Sequence, residues 1–214
     1  MTKIIIFDFD GTLADTRELI IRTNQEAMKA MNYPVRDEEA IRKTIGLPLA
    51  EGIRTLFPEL PEEALPEWCT TYRRIFDGLK TRYVPVLFPE VKETLEWLYA
   101  KGYVLTVASS RHSSSLNAFL QDLGIAPCFR YVLGADNVAK AKPDPEPVLQ
   151  TLRDMGYPAE EALVVGDMPV DILMGARAGA KTVGVTYGNS NREELQAACA
   201  TYVLDGFSEI KSLL

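Results

Sequence analysis

The chain opens with four consecutive apolar residues, Ile4, Ile5, Ile6 and Phe7, and then switches to Asp8. A short β-branched and aromatic run with no polar face reads as a strand covered on both sides, the pattern of a parallel sheet. Gly11, Thr12 and Leu13 then turn the chain, and helical spacing predicts a helix over residues 16–31. Asp15 stands at its N-cap position with Glu18 three residues on, the spacing of a capping box. From Pro89 onward the two patterns alternate. Helices are expected over 89–101, 114–123, 145–155, 169–178, 192–198 and 207–214, and strands over 103–108, 131–133, 162–165, 182–185 and 202–204.

Residues 33–82 have a different texture. Helical patterns dominate, and Pro34, Pro48, Pro58, Pro61 and Pro66 cut them into short pieces. Trp68, Tyr72 and Phe76 recur at helical spacing and read as the core of this small helical unit. The rest predicts an α/β fold, a Rossmann-like parallel sheet covered by helices on both faces. In such sheets ligands bind at the carboxyl ends of the strands, so the polar residues just after each strand deserve the closest reading.

Composition narrows the function classes. The 214 residues carry a formal net charge of -7 and no long basic run, which argues against nucleic acid or a membrane as partner. No segment reaches the apolar length of a bilayer span, and the apolar run at the N-terminus is too short for a signal peptide's apolar region. Cys69, Cys128 and Cys199 are odd in number and widely spaced, the usage expected of reduced thiols in a cytoplasmic protein. An acidic protein also repels anionic substrates, so a phosphate site here needs local positive charge, including a metal ion.

The strand ends supply a compact set: Asp8 and Asp10 after the first strand, Ser109 and Ser110 after residues 103–108, Lys140 and Lys142 in the loop beyond residues 131–133, and Asp167 and Asp171 after residues 162–165. A carboxylate can act as nucleophile in phosphoryl transfer and a second as acid and base. Several carboxylates with oxygen-only donors suit Mg2+. A serine hydroxyl and a lysine can donate to the oxygens where charge gathers in the transition state. Gly11 permits a close approach of backbone amides to phosphate, with Thr12 beside it.

The order and content of these segments resemble the haloacid dehalogenase-like superfamily and, within it, the phosphoglycolate phosphatase-like group. The resemblance rests on Asp8-Phe9-Asp10-Gly11-Thr12-Leu13, on Ser109 at its strand end, on Lys142-Pro143-Asp144-Pro145, and on Gly166-Asp167-Met168-Pro169-Val170-Asp171. It implies Asp8 as nucleophile and metal ligand, Asp10 as acid and base with its carbonyl on the metal, and Asp167 and Asp171 as the remaining metal shell. Ser109 and Lys142 would hold the phosphoryl group. It also implies a core domain of residues 1–15 and 83–214 and a helical cap domain of residues 16–82. The cap loop Thr44-Ile45-Gly46-Leu47-Pro48 resembles substrate-facing loops of related caps, with Arg42, Lys43 and Arg54 nearby.

The expectation is therefore a magnesium-dependent phosphatase acting on a small phosphorylated metabolite, phosphoglycolate-like or a sugar phosphate, through an aspartyl-phosphate. The chain is expected as a monomer or homodimer. A pyrophosphatase or a β-phosphoglucomutase-like transferase are alternatives on the same fold. Thr12 stands where the mutases usually carry a bulky apolar residue. A non-catalytic binding protein need not keep the whole acidic set together. Single residues have plainer readings too: Asp15 as a helix cap, Asp171 as a first-turn carboxylate, Ser110 as the cap of the following helix, and His112 as a polar loop residue.

Overall fold

The computed structural model describes residues 1–214. Its first strand, β1 (Ile4–Phe7), is wholly buried, as its apolar faces require. The chain then forms a short β2 (Ala14–Asp15) and four cap helices: α1 (Arg17–Ala30), α2 (Glu38–Arg42), α3 (Leu49–Leu56) and α4 (Leu65–Leu79). It returns through β3 (Val86–Leu87) into α5 (Val91–Ala100), β4 (Val104–Ala108), α6 (Ser113–Asp122) and β5 (Tyr131–Leu133). The second half adds α7 (Glu146–Met155), β6 (Ala162–Gly166), α8 (Pro169–Arg177), β7 (Lys181–Val185), α9 (Arg192–Ala197) and β8 (Tyr202–Leu204).

Six strands form one parallel sheet in the order β5-β4-β1-β6-β7-β8. Alternation along β1 sends Ile5 and Phe7 into the core cluster that also holds Leu98, Phe119 and Phe207. Ile4 and Ile6 enter the opposite cluster, with Val148, Leu152 and Met174 of α7 and α8. Both faces are therefore sealed. The chain leaves β1 toward β4 and β5, then crosses back to β6 on the other side, so the connections diverge around β1 and open a crevice at its carboxyl end.

The cap has its own core, in which Trp68 is fully buried between Tyr33 and Phe57. Phe76 instead joins the main core, edge-on to Phe119, and Tyr72 stacks on Phe76 across the junction of the two units. The apolar stripe of α4 thus serves two cores, which periodicity alone does not distinguish.

Three local expectations are corrected. The N-cap position of α1 is Thr16, not Asp15, and no side chain caps the helix. Thr16 turns its hydroxyl to Asp10 Oδ1 at 2.6 Å, and Asp15 Oδ1 accepts from the Arg17 amide. Ser110 does not cap α6; His112 occupies that position and its ring accepts from Ser114 N. The C-terminal helix, residues Phe207–Leu213, is a 3-10 helix. The two crossings into the cap are joined: Ala14 pairs with Leu87 and Asp15 with Val86 in an antiparallel ribbon. Two-residue strands leave no periodic signal, so only the folded chain reveals them.

Candidate active site

The carboxyl ends of β1, β4 and β6 bring the polar residues together. Asp8 is buried directly after β1, and its Oδ1 accepts from Lys142 Nζ at 2.6 Å. Its Oδ2 is buried with no hydrogen-bond partner. Lys142 also donates to Asp171 Oδ1 at 2.6 Å, so one ammonium bridges two carboxylates. Asp171, in the first turn of α8, further accepts from Met168 N through its Oδ2. Asp167 takes Thr12 Oγ1 on Oδ1 at 3.0 Å and the Asn189 backbone and side-chain amides on Oδ2 at 2.7 and 2.9 Å.

One oxygen each from Asp8, Asp167 and Asp171 lies within 4.8 Å of the others. Burial pushes the Asp8 carboxyl well above its ordinary range; Lys142 pulls it down, while Asp171, Asp167 and Asp10 push it up again. Burial, reinforced by Asp171, raises Asp167 to about 7. Burial alone would lower the Lys142 ammonium, but Asp171 and Asp8 raise it above its ordinary value. Three buried acids are thus held against strong desolvation and repulsion with one cation among them. The donor set is all oxygen, as a hard divalent cation prefers, and such an ion would partner the orphaned Asp8 Oδ2. The residues fit a divalent metal.

Asp10 faces a different partner. Arg111 clasps its carboxylate with Nε on Oδ2 and Nη2 on Oδ1, and donates to Ser115 through Nη1. The guanidinium is buried against the rings of Phe9, Phe76 and Phe119. Burial would lower the Arg111 guanidinium, yet Asp10 holds it above its ordinary value. Sequence reading missed Arg111, which sits two residues past Ser109. The available signal was an arginine directly after a strand end in a set otherwise rich in acids. Asn189 lies in the loop after β7, and nothing in the sequence links it to Asp167.

The other expected residues fall as follows. Ser109 is buried, and its Oγ accepts from the Arg111 amide at 3.2 Å. Ser110 donates its hydroxyl to the Gly46 carbonyl at 2.7 Å, a contact from core to cap. Thr12 is fully buried and serves Asp167. The Gly11 amide donates to Ala14 O. Glycine is needed there because φ is +85° and a Cβ would stand 2.2 Å from Asp167 Oδ2. Gly46 faces Met168. Arg42 chelates Glu39 and donates to the Asn189 carbonyl, while Lys43 lies exposed beside Glu39. Arg54 pairs with Glu62 and Glu51. Lys140, exposed, approaches Asp144. His112 stands at the surface near Asp136, outside the carboxylate cluster.

A parallel sheet whose central strand end carries this acid and lysine constellation defines a hydrolase of the haloacid dehalogenase type. The model of that family, haloacid dehalogenase-like hydrolase, matches residues 5–185, and the chain belongs to it. Among curated relatives it is similar to "Probable phosphatase IndB" of Dickeya dadantii, 37% identical over 98% of this chain and 92% of that one. It is 33% identical to pyrophosphatase PpaX of Bacillus velezensis (96% and 93% covered) and 32% identical to phosphoglycolate phosphatase of Vibrio parahaemolyticus (97% and 94%). A candidate haloacid dehalogenase-like hydrolase from Bacteroides fragilis superposes with a TM-score of 0.93 at 27% identity, covering 98% and 100% of the two chains. The protein is a hydrolase, in the branch whose curated relatives are named phosphatases. No helix is long and apolar enough to cross a membrane.

Proposed function

We propose that this protein is a magnesium-dependent phosphatase that hydrolyses a small phosphomonoester through an aspartyl-phosphate on Asp8. The observation that carries the reading is the Asp8 carboxylate: one oxygen on Lys142, the other buried and unpartnered, beside Asp167 and Asp171. Asp8, Asp167 and Asp171 would hold Mg2+, together with the carbonyl of Asp10. When bound, the metal supplies charge that offsets the repulsion between Asp8 and a phosphate dianion.

The protein's own groups then divide the work. The Asp8 carboxylate attacks phosphorus and the ester bond breaks. Asp10 gives its proton to the leaving alkoxide, then takes one from the water that attacks the aspartyl-phosphate, releasing inorganic phosphate and restoring the Asp8 carboxylate and the Asp10 acid. Lys142 and Ser109 neutralise and orient the phosphoryl oxygens. Arg111 occupies both oxygens of Asp10, so donation to a leaving group requires that clasp to loosen.

The substrate reading is a phosphoglycolate-like or sugar phosphate ester, handled in the cytoplasm by a monomer or homodimer. It is supported by the phosphoglycolate phosphatase of Vibrio parahaemolyticus among the relatives and by the loop of residues 44–48 reaching the core at Ser110. Pyrophosphate is the second reading, favoured by the PpaX relative. Phosphate release from a panel of phosphoesters and pyrophosphate, with Mg2+ and with chelator, separates them. Asp8→Asn should lower turnover of p-nitrophenyl phosphate on the order of 10⁴-fold or more, the scale of removing a nucleophile, with the fold intact by circular dichroism. Near-normal turnover in that variant, or in excess chelator, would overturn the mechanism.

A further inference from the structure

The loop after β7, residues 187–190, is packed against the acidic cluster more tightly than a connecting turn requires. A Cβ on Gly188 would lie 2.3 Å from Asp167 Cβ and 2.5 Å from the Gly11 carbonyl. Asn189 is buried, and both of its N–H groups go to the same atom, Asp167 Oδ2. Thr12 holds the other oxygen, and Tyr187 in turn holds Thr12 by donating to its carbonyl at 2.8 Å. Asn189 directly, and Tyr187 through Thr12, therefore hold the Asp167 carboxylate from both sides.

The acceptors of the same loop face the cap. Asn189 Oδ1 accepts from Arg17 Nε at 3.4 Å, and the Gly188 carbonyl accepts from Arg17 Nη2 at 2.9 Å. The Asn189 carbonyl accepts from Arg42 Nη1. Arg17 begins α1 and Arg42 ends α2, so two cap helices grip this one loop. Asn189 thus uses its donors on a core carboxylate and its acceptors on cap guanidiniums.

We propose that Asn189 is a positioning residue that couples closure of the cap to the metal affinity of Asp167. With the cap closed, Arg42 and Arg17 seat the loop and both Asn189 donors orient Asp167 toward the cation. With the cap open, the loop loses its guanidinium partners and Asp167 is held less firmly. By linkage the coupling runs both ways, so bound metal also favours closure. This inference rests on the metal-dependent reading above. It adds that the affinity is set partly by Arg17 and Arg42, which reach Asp167 only through this loop.

The test is Mg2+ binding to the full-length, metal-free protein by calorimetry, with circular dichroism as the control for folding. Asn189→Ala should weaken Mg2+ about 10-fold, the lower end of the range for losing a partner of a metal ligand. Asn189→Ser provides a second, less disruptive form. Arg42→Ala, which removes one of the cap's two holds on the loop together with the exposed pair to Glu39, should weaken Mg2+ about 5-fold, the modest end of allosteric coupling. Lys29→Ala, an exposed cap charge on Glu26, should change nothing. At saturating Mg2+ the Asn189 variants should regain most of kcat while needing more metal for half-maximal rate. A merely structural defect would not be rescued in that way. Wild-type Mg2+ affinity in the Asn189 variants, or in Arg42→Ala, overturns the coupling. If the wild type itself binds no Mg2+ or turns over without it, the metal-dependent reading falls instead.

Discussion

The acidic cluster in the sheet and the charge pairs of the cap are built by opposite means. Asp8 meets Lys142 across 134 residues and Asp10 meets Arg111 across 101, and all four side chains are buried. In the cap, Arg42 and Lys43 reach back three or four residues to Glu39, and Arg54 to Glu51, in half-exposed pairs. Pairs of the first kind exist only when the whole sheet is assembled, and each charge depends on its partner to remain buried. Pairs of the second kind form on an isolated helix and contribute little. The acidic cluster therefore exists only where the assembled sheet holds it, while the local charge pairs of the cap add little to its stability.

Breaking the cluster should have the largest effect. Lys142→Ala leaves Asp8 and Asp171 facing each other without their shared cation, so the metal-free protein should lose about 3–5 kcal/mol of stability. Denaturant unfolding in chelator measures it. A loss below 1 kcal/mol would mean the two carboxylates do not rely on Lys142.

Asp10→Asn separates the two buried pairs by role. Alkyl phosphates, which need a proton on the leaving oxygen, should slow by about 10²–10⁴-fold, the usual contribution of acid–base catalysis. Aryl esters such as p-nitrophenyl phosphate should slow far less. Equal slowing of both would assign Asp10 to holding Arg111 in its aromatic cage, or to a step both substrates share.

The pH dependence tests the electrostatic side. Asp167 rises from an ordinary 3.8 to about 7 in the metal-free fold because burial disfavours its charge. A raised carboxyl binds its proton more tightly folded than unfolded, so the stability it contributes is complete below pH 4 and is lost as pH climbs toward 7. In chelator, Asp167→Asn should therefore gain in Tm relative to the wild type across pH 4 to 7. A constant difference between the two would remove Asp167 as the titrating group.

The smallest effect belongs to the cap. Gly46 has φ +91° and packs on Met168, with Ser110 donating to its carbonyl. Replacing it with a bulky residue should reorder the substrate panel while turnover of a tiny substrate such as acetyl phosphate persists. An unchanged ranking would move specificity elsewhere on the cap. Arg54→Ala, which loses only exposed pairs with Glu51 and Glu62, should shift stability by less than about 0.5 kcal/mol.

Much of this molecule was legible before folding. The strands of the main sheet follow from short apolar runs and most helices from a period of 3.6, and the strands' carboxyl ends point to Asp8, Asp10, Ser109, Lys142, Asp167 and Asp171, because in a parallel sheet those ends converge. The tertiary structure decided the rest. It spent the Gly11 amide on Ala14, turned Thr12 to Asp167, tied the two cap crossings into a ribbon, and aimed Arg111 and Asn189 at carboxylates far along the chain. Periodicity is a local property of the backbone and can be read residue by residue. The partner a buried polar group finds is not local: it depends on which distant loop arrives within hydrogen-bond reach once water has been excluded.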